Sequence, residues 1–229
     1  MIKNTWKYYL IALAIILIDQ SSKLWVHFNV AMGYAGVIKL IGNWFKIHYT
    51  LNPGMAFGLQ FGFRYGKLLL TFVRIIATFM IGRYIWQLAR ATHTPALLLW
   101  GWALILGGAV GNVTDSILYG KLLGNTPHDA PMSWFYGQVI DMFYLDIWET
   151  QLPAWLPYVG GRYLSLFPIF NIADVAILLG VAAILWAGRS GSKERRAWSH
   201  STVAPAAQQY PTQARQPTDP DPTGPARNS

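Results

Sequence analysis

The chain contains no cysteine. That excludes disulfides, thiolate metal sites, a cysteine nucleophile and any lipid attached to a cysteine of its own. Charge is the second scarcity: Asp, Glu, Lys and Arg make up 12% of the 229 residues, about half of what a soluble domain carries. The histidines at 27, 48, 93, 128 and 200 are scattered, and no His-Glu-x-x-His pair is available for zinc. Ser21, Ser22, Ser116 and Ser133 lack a Gly-x-Ser-x-Gly setting, and there is no phosphate-cradling Gly-x-x-x-x-Gly-Lys loop. What fills the chain is apolar. Hydrophobic residues reach 53%, with 11 Trp and 12 Tyr, a composition that fits an integral membrane protein with aromatic belts. The net charge of +8 gathers beside apolar segments (Lys3, Lys7; Arg189, Lys193, Arg195, Arg196). That distribution sets membrane topology and argues against a nucleic-acid partner.

Windows of about 20 residues predict four spans: Tyr8 to Val26, Lys67 to Ala89, Pro95 to Asp115 and Leu166 to Ala187. No small-residue cleavage site follows the first; Asp19, Gln20 and Lys23 do, so it reads as an uncleaved membrane helix. The basic segments at the N-terminus, around Arg90 and at Arg189–Arg196 predict both termini in the cytoplasm. Loops 27–66 and 116–165 then face outward. The first has strand character: Val37–Ile41 and Trp44–Thr50 flank Gly42-Asn43, a two-residue hairpin signal. Phe45, Ile47, Tyr49 and Leu51 alternate with Lys46, His48, Thr50 and Asn52, as a small sheet resting on a membrane requires. The second loop is rich in Trp, Pro and Gly and reads as irregular. The expected organisation is a four-helix membrane domain over 1–189 and a disordered cytoplasmic Pro/Ser/Gln-rich tail over 190–229.

Within this frame a few polar residues stand out. Phe170-Asn171-Ile172-Ala173-Asp174 puts a carboxylic acid inside an apolar span, where an ionised group costs on the order of 3 kcal/mol. Such an acid calls for a partner. Val139-Ile140-Asp141-Met142-Phe143 offers a second acid among apolar neighbours. If the two carboxyls meet, both cannot ionise comfortably and one proton is shared. The protonated member can polarise a carbonyl while the other takes a proton from water, with no covalent enzyme intermediate. Asp19 and Lys23, at i and i+4, share a helix face and can pair; ending a span and touching substrate are equally open roles. Gly107 and Gly111 allow close helix packing. Asn112 and Asp115 share a face, as do Asn171 and Asp174. Asn52-Pro53-Gly54 supplies a turn.

Taken together, Asp19-Gln20-Ser21-Ser22-Lys23, Asn52-Pro53-Gly54-Met55-Ala56-Phe57, Gly107 to Asp115, Val139-Ile140-Asp141-Met142 and Phe170 to Asp174 resemble, in order, the motifs of the bacterial lipoprotein signal peptidases, or signal peptidase II. The resemblance implies an all-α membrane protein: four transmembrane helices with a small periplasmic β-sheet in the first outer loop. It implies an aspartic endopeptidase of the inner membrane, its active site on the periplasmic side, that cuts diacylglyceryl-modified prolipoproteins before the lipidated cysteine. Asp141 and Asp174 match the catalytic dyad. Asp19, Lys23, Asn52, Gly54, Gly108, Asn112, Asp115, Asn171 and Ala173 fall where the family binds substrate or supports the site. The expected partners are the lipidated substrate, membrane lipids and globomycin-like inhibitors, with no metal, no cofactor and a monomeric chain.

Two departures matter. Ser116 follows Asp115 where the family commonly has Arg, so a charge partner is either missing or supplied from elsewhere, with Arg162 or Arg74 as candidates. Residues 116–140 also make a longer connection than is usual. From another class, a proton-coupled small membrane transporter would use Asp19, Asp115 and Asp174 as a relay. That reading wants acids spread through the bilayer depth, whereas these cluster at the outer ends of their spans. A non-catalytic assembly factor would tolerate Asn at 141 and 174.

Overall fold

Among the described residues, four helices are long and apolar enough to cross a bilayer: α1 (Trp6–Asn29), α2 (Gly66–Arg90), a rod that starts as α3 (Ala96–Thr114), and α5 (Ile172–Ser201), which is apolar as far as Arg189. The structure, a computed structural model, describes residues 5–53, 65–151, 153–155, 161, 163–165 and 167–201. The bundle belongs to one unit, Met1–Ser190; a second unit, Gly191–Ser229, holds the end of α5. The helix therefore runs past the predicted start of the tail at residue 190, and residues 202–229 lie outside the described ones.

The rod through α3 is the central helix: 44% of its span is buried, against 22%, 11% and 17% for the spans of α1, α2 and α5. Glycine is what lets neighbours reach it. A Cβ at Gly107 would meet Ile15 and the Ala12 carbonyl of α1; at Gly108 it would lie 2.3 Å from the Ala173 carbonyl of α5. Farther along, Gly101 and Gly180 bring the backbones of α3 and α5 together, each facing the other's carbonyl oxygen. At the basic end of the bundle, Tyr8, Ala12, Ile85, Ala89, Leu99, Ala103 and Leu106 form the core between α1, α2 and α3.

After Thr114 the rod loosens into a π-helical turn, Asp115–Tyr119, and closes with the short α4 (Gly120–Leu122). Thr114 and Ser116 hydroxyls donate back to the Val110 and Asn112 carbonyls, a bond that competes with regular helix. The carbonyls displaced by the wide turn are taken by the following loop: Gly137 N–H donates to Ser116 O and Phe135 N–H to Ile117 O. Asn125 and Gln138 exchange three hydrogen bonds, closing the long 116–140 connection into a stapled loop.

The sheet differs from expectation. Strand β1 (Ile38–Ile41) and β2 (Phe45–Asn52) form the predicted hairpin, but Ile41 pairs with Phe45 across three residues, with Gly42 at φ +52°. A third strand, β3 (Val139–Leu145), comes from the 116–165 connection and pairs antiparallel with β2, so the sheet is not confined to the first loop. A second, two-stranded sheet joins β4 (Glu149–Gln151) to β5 (Tyr163–Ser165) in a region that reads as irregular from sequence. One extra residue in β2 between Ile47 and Thr50 shifts the pairing register, so the simple alternation of faces stops there. Val26, Val30, Ile47, Tyr49, Tyr119, Ile140 and Met142 pack the sheet onto the ends of α1 and the rod.

Candidate active site

Lys23 is the first organiser of the site. On α1 it lies one turn beyond Asp19, and its amine reaches Asp19 Oδ2 and Asp115 Oδ2 at 2.7 Å each and donates to Asn112 Oδ1 at 3.1 Å. All three charged side chains are fully buried. Taking ions out of water costs several kcal/mol each, repaid only where every remaining lone pair finds a donor. Here they do. Asp19 Oδ1 accepts the Ala173 N–H of α5 at 2.9 Å, and Gln20 Nε2 donates to Asp115 Oδ1 at 2.8 Å. Tyr119 in turn donates its hydroxyl to Gln20 Oε1 at 2.8 Å. Gly111 makes room: a Cβ there would sit 2.6 Å from Asp19 Oδ2.

Asn171 is the second organiser. It starts α5 with a reciprocal cap: its Oδ1 accepts the Asp174 N–H at 3.0 Å, and Asp174 Oδ2 accepts the Asn171 N–H at 3.3 Å. This box sets the helix start at Ile172, later than Leu166 as read from hydropathy. It also fixes the Asp174 carboxylate over the helix N-terminus, where negative charge is favoured. The same Asn171 turns its amide to Asp141 Oδ1 at 2.6 Å and to Asn112 Oδ1 at 3.3 Å. Asn52, at the end of β2, donates to Asp141 Oδ2 at 2.9 Å, and Asn112 donates to Asp174 Oδ1 at 3.0 Å.

Asp141 arrives on β3. Its register is set on one side by pairing with Thr50 and on the other by Met142 and Phe143 N–H groups donating to Phe170 O. Thus β3 joins β2 to the residue before Asn171, and both acids meet one asparagine. Asp141 is 2% exposed. Burial first, and then the charge of Asp174, pushes its carboxyl up to about 7, against the pull of the Asn52 and Asn171 amides and of Lys23. A carboxyl poised there can hold or release a proton near neutrality.

The structure thus brings together Asp19, Lys23, Asn52, Asn112, Asp115, Asp141, Asn171, Ala173 and Asp174, all named from sequence. Gly108 takes part through packing on Ala173, whereas Gly54 lies outside the described residues. Gln20 and Tyr119 escaped the sequence reading as site residues. Gln20 lies inside the Asp19–Lys23 motif, but its bond to Asp115 and that of Tyr119 to Gln20 cross between α1 and the rod and leave no local pattern. Of the two candidate charge partners, Arg162 lies outside the described residues, while Arg74 points Nη1 at Ser116 Oγ, 3.5 Å away. Among the described residues no group of three His, Cys, Asp or Glu side chains is placed to hold a metal ion.

A family model described as signal peptidase (SPase) II matches residues 11–188, a stretch containing every residue of this cluster. The chain belongs to the signal peptidase II family. The lipoprotein signal peptidase of Amoebophilus asiaticus is 63% identical over 185 residues, covering 81% of this chain and 78% of that protein. That of Porphyromonas gingivalis is 36% identical over 185 residues (75% and 77%), and that of Chlorobaculum parvum 32% over 180 residues (79% and 93%). Two solved bacterial membrane enzymes share the fold. One has a TM-score of 0.59 at 21% identity, covering 82% of this chain and 90% of that one; the other has 0.57 at 22%, covering 82% and 96%. The signal peptidase II match accounts for four apolar helices with a small sheet in one peptidase.

Proposed function

We propose that this chain is an aspartyl endopeptidase that removes the signal peptide from diacylglyceryl-modified prolipoproteins, cutting just before the lipidated cysteine. The observation that carries the reading is Asn171: its side chain and backbone hydrogen-bond to both Asp141 and Asp174. In the active form the pair holds one proton, on Asp141, the buried member, whose carboxyl lies near 7. Asp174 takes a proton from water as the water oxygen attacks the scissile carbonyl. Asp141 gives its proton to the carbonyl oxygen, yielding a neutral tetrahedral diol. The proton on Asp174 then passes to the leaving nitrogen as the C–N bond breaks, and the diol returns a proton to Asp141. Asn52 and Asn112 hold the acids in place, and the Lys23 network ties α1 and the rod to α5, the helix that carries Asp174.

Orientation follows from charge. Lys7, Arg90 and Arg189 stand at the helix ends remote from the dyad, which by the positive-inside rule face the cytoplasm. The dyad and the three-stranded sheet then lie at the periplasmic edge of the inner membrane, where a lipid-anchored substrate arrives in the bilayer plane. A monomer contains the whole site, and globomycin-like cyclic peptides are expected to block it. The test is a gel-shift cleavage assay with purified protein and a lipidated precursor, run with and without chelator. Cleavage by the parent, and none by Asp141→Asn or Asp174→Asn, is expected. Undiminished cleavage by the double Asn variant would end the proposal, and loss of activity on chelation would overturn the metal-free mechanism.

A further inference from the structure

The cluster has a charge problem that Lys23 does not solve. Its amine lies between Asp19 and Asp115, so this trio keeps one negative charge, and a dyad sharing one proton adds another. Hydrogen bonds to the pair come from Asn52 on β2, Asn112 on the rod and Asn171. The cations acting on it are Lys23 from α1, which lies between Asp19 and Asp115, and Arg74 from α2, the helix that also carries Lys67. Helix α2 contributes a polar stripe at i, i+4 and i+7. Lys67 donates to Pro53 O at 2.7 Å, Thr71 to Phe135 O at 2.9 Å, and Arg74 approaches Ser116 Oγ. Lys67 is thereby held on the backbone next to Asn52. Arg74 is held on the path to the dyad: Ser116 donates to Asn112 O at 3.0 Å, and Asn112 donates to Asp174 Oδ1 at 3.0 Å.

We infer that Arg74 is a positioning residue that fixes where the single proton of the dyad sits, its guanidinium holding the negative charge on Asp174 and leaving the proton to Asp141. Arg74 Nη1 stands 3.5 Å from Ser116 Oγ, and Ser116 and Asn112 lead from there to Asp174 Oδ1. The electrostatic reach of the guanidinium extends to Asp174 first, then Asp115 and Asp141. The helix N-terminus under Asp174 acts in the same sense. Asp141 is hydrogen-bonded by the Asn52 and Asn171 amides, and Lys23, whose amine is held by Asp19 and Asp115, is the cation that acts on it from α1. Chemically, this polarity decides which acid is the base and which the proton donor.

The inference rests on the aspartyl reading above, and the experiment separates the two. Cleavage of a lipidated precursor is followed across pH for the parent, Arg74→Gln, Arg74→Lys, Asp141→Asn and Asp174→Asn. Losing a nearby cation makes both ionisations of the pair harder, so the Arg74→Gln profile should move about one unit to higher pH. Arg74→Lys should keep the parental profile whatever its rate. If Arg74→Gln turns over too slowly, the carboxylic-acid carbonyl absorption in pH-difference infrared spectra, assigned with Asp141→Asn, should show the same displacement without catalysis. If Arg74→Gln does not fold, the folded Arg74→Lys protein still decides. An unmoved Arg74→Gln profile or spectrum, or a lysine variant displaced by a full unit, would overturn the role of Arg74. Full activity of both Asn variants would instead remove the aspartyl mechanism, whatever Arg74 does.

Discussion

Asp141 sets chemistry against stability at a single atom group. Its carboxyl is raised from an ordinary 3.8 to about 7 by burial and by Asp174. Below about pH 4 the folded and unfolded chains both hold this proton and the site costs nothing. Between about pH 4 and 7 the unfolded chain releases its proton first, so stability falls as pH rises through that window and levels off above it. Asp141→Asn removes the titration. Asn52 can turn its amide to accept from the new side chain, and Asn171, fixed by its cap on Asp174, still donates. This variant should lose cleavage yet melt above the parent at pH 8, by on the order of 2–4 kcal/mol, with little advantage at pH 4. Intrinsic tryptophan fluorescence melts in detergent check it, and a difference that is the same at both pH values would contradict the account. Lys23→Met should do the reverse. It strands Asp19 and Asp115 in a fully buried space, at a cost of roughly 3–5 kcal/mol. Adding Asp115→Asn should restore part of that loss.

Among the elements, legibility from sequence divided along locality. The helices declare themselves in any window of their own length: α1 and α2 appear within a few residues of where hydropathy puts them, whereas the rod runs on to Leu122 and α5 starts late at the Asn171 cap and continues past its apolar part to Ser201. The hairpin is equally local. Strand β3 is not: Val139-Ile140-Asp141-Met142-Phe143 has no polar alternation, because both faces are covered, and its partner β2 lies far back in the chain. The register shift in β2 and the π turn at Asp115 arise from tertiary pairing and leave no pattern to read. Hence the acids were legible as a pair, but the strand that aims one of them was not. Two helix glycines test how the elements meet. A methyl at Gly108 would press on the Ala173 carbonyl at 2.3 Å, and one at Gly180 on the Gly101 carbonyl at 2.5 Å. Both alanines should destabilise by about 1–3 kcal/mol of overpacking, reduced by the better helix propensity of Ala. Only Gly108→Ala displaces the turn that bears Asp174, so its kcat should fall tenfold or more while Gly180→Ala stays within a few-fold of the parent. Equal losses of kcat would show that helix α5 moves as one rigid rod.

At the scale of the whole molecule, the two ends differ in kind. One gathers cations on aromatic rings: Arg90 lies 4.3 Å from the centre of the Trp86 ring, and Lys7 lies over Tyr8 and Trp100. The other gathers the buried acids under a sheet. Between them the outward faces are apolar, with Leu17, Ile76, Phe79, Leu178 and Leu185 among the exposed side chains, as contact with lipid tails requires. In the proposed orientation these cations mark the cytoplasmic side by the positive-inside rule, and the acids lie at the other. The absence of cysteine makes that polarity measurable without a background. Tyr34, 90% exposed before the first strand, and His93, exposed between α2 and α3, take no part in the site. A single cysteine at Tyr34→Cys should react with a membrane-impermeant maleimide in cells whose outer membrane alone has been opened. His93→Cys should react only after the inner membrane is broken. The opposite pattern would invert the protein in the bilayer, put the dyad on the cytoplasmic side and overturn the proposed orientation.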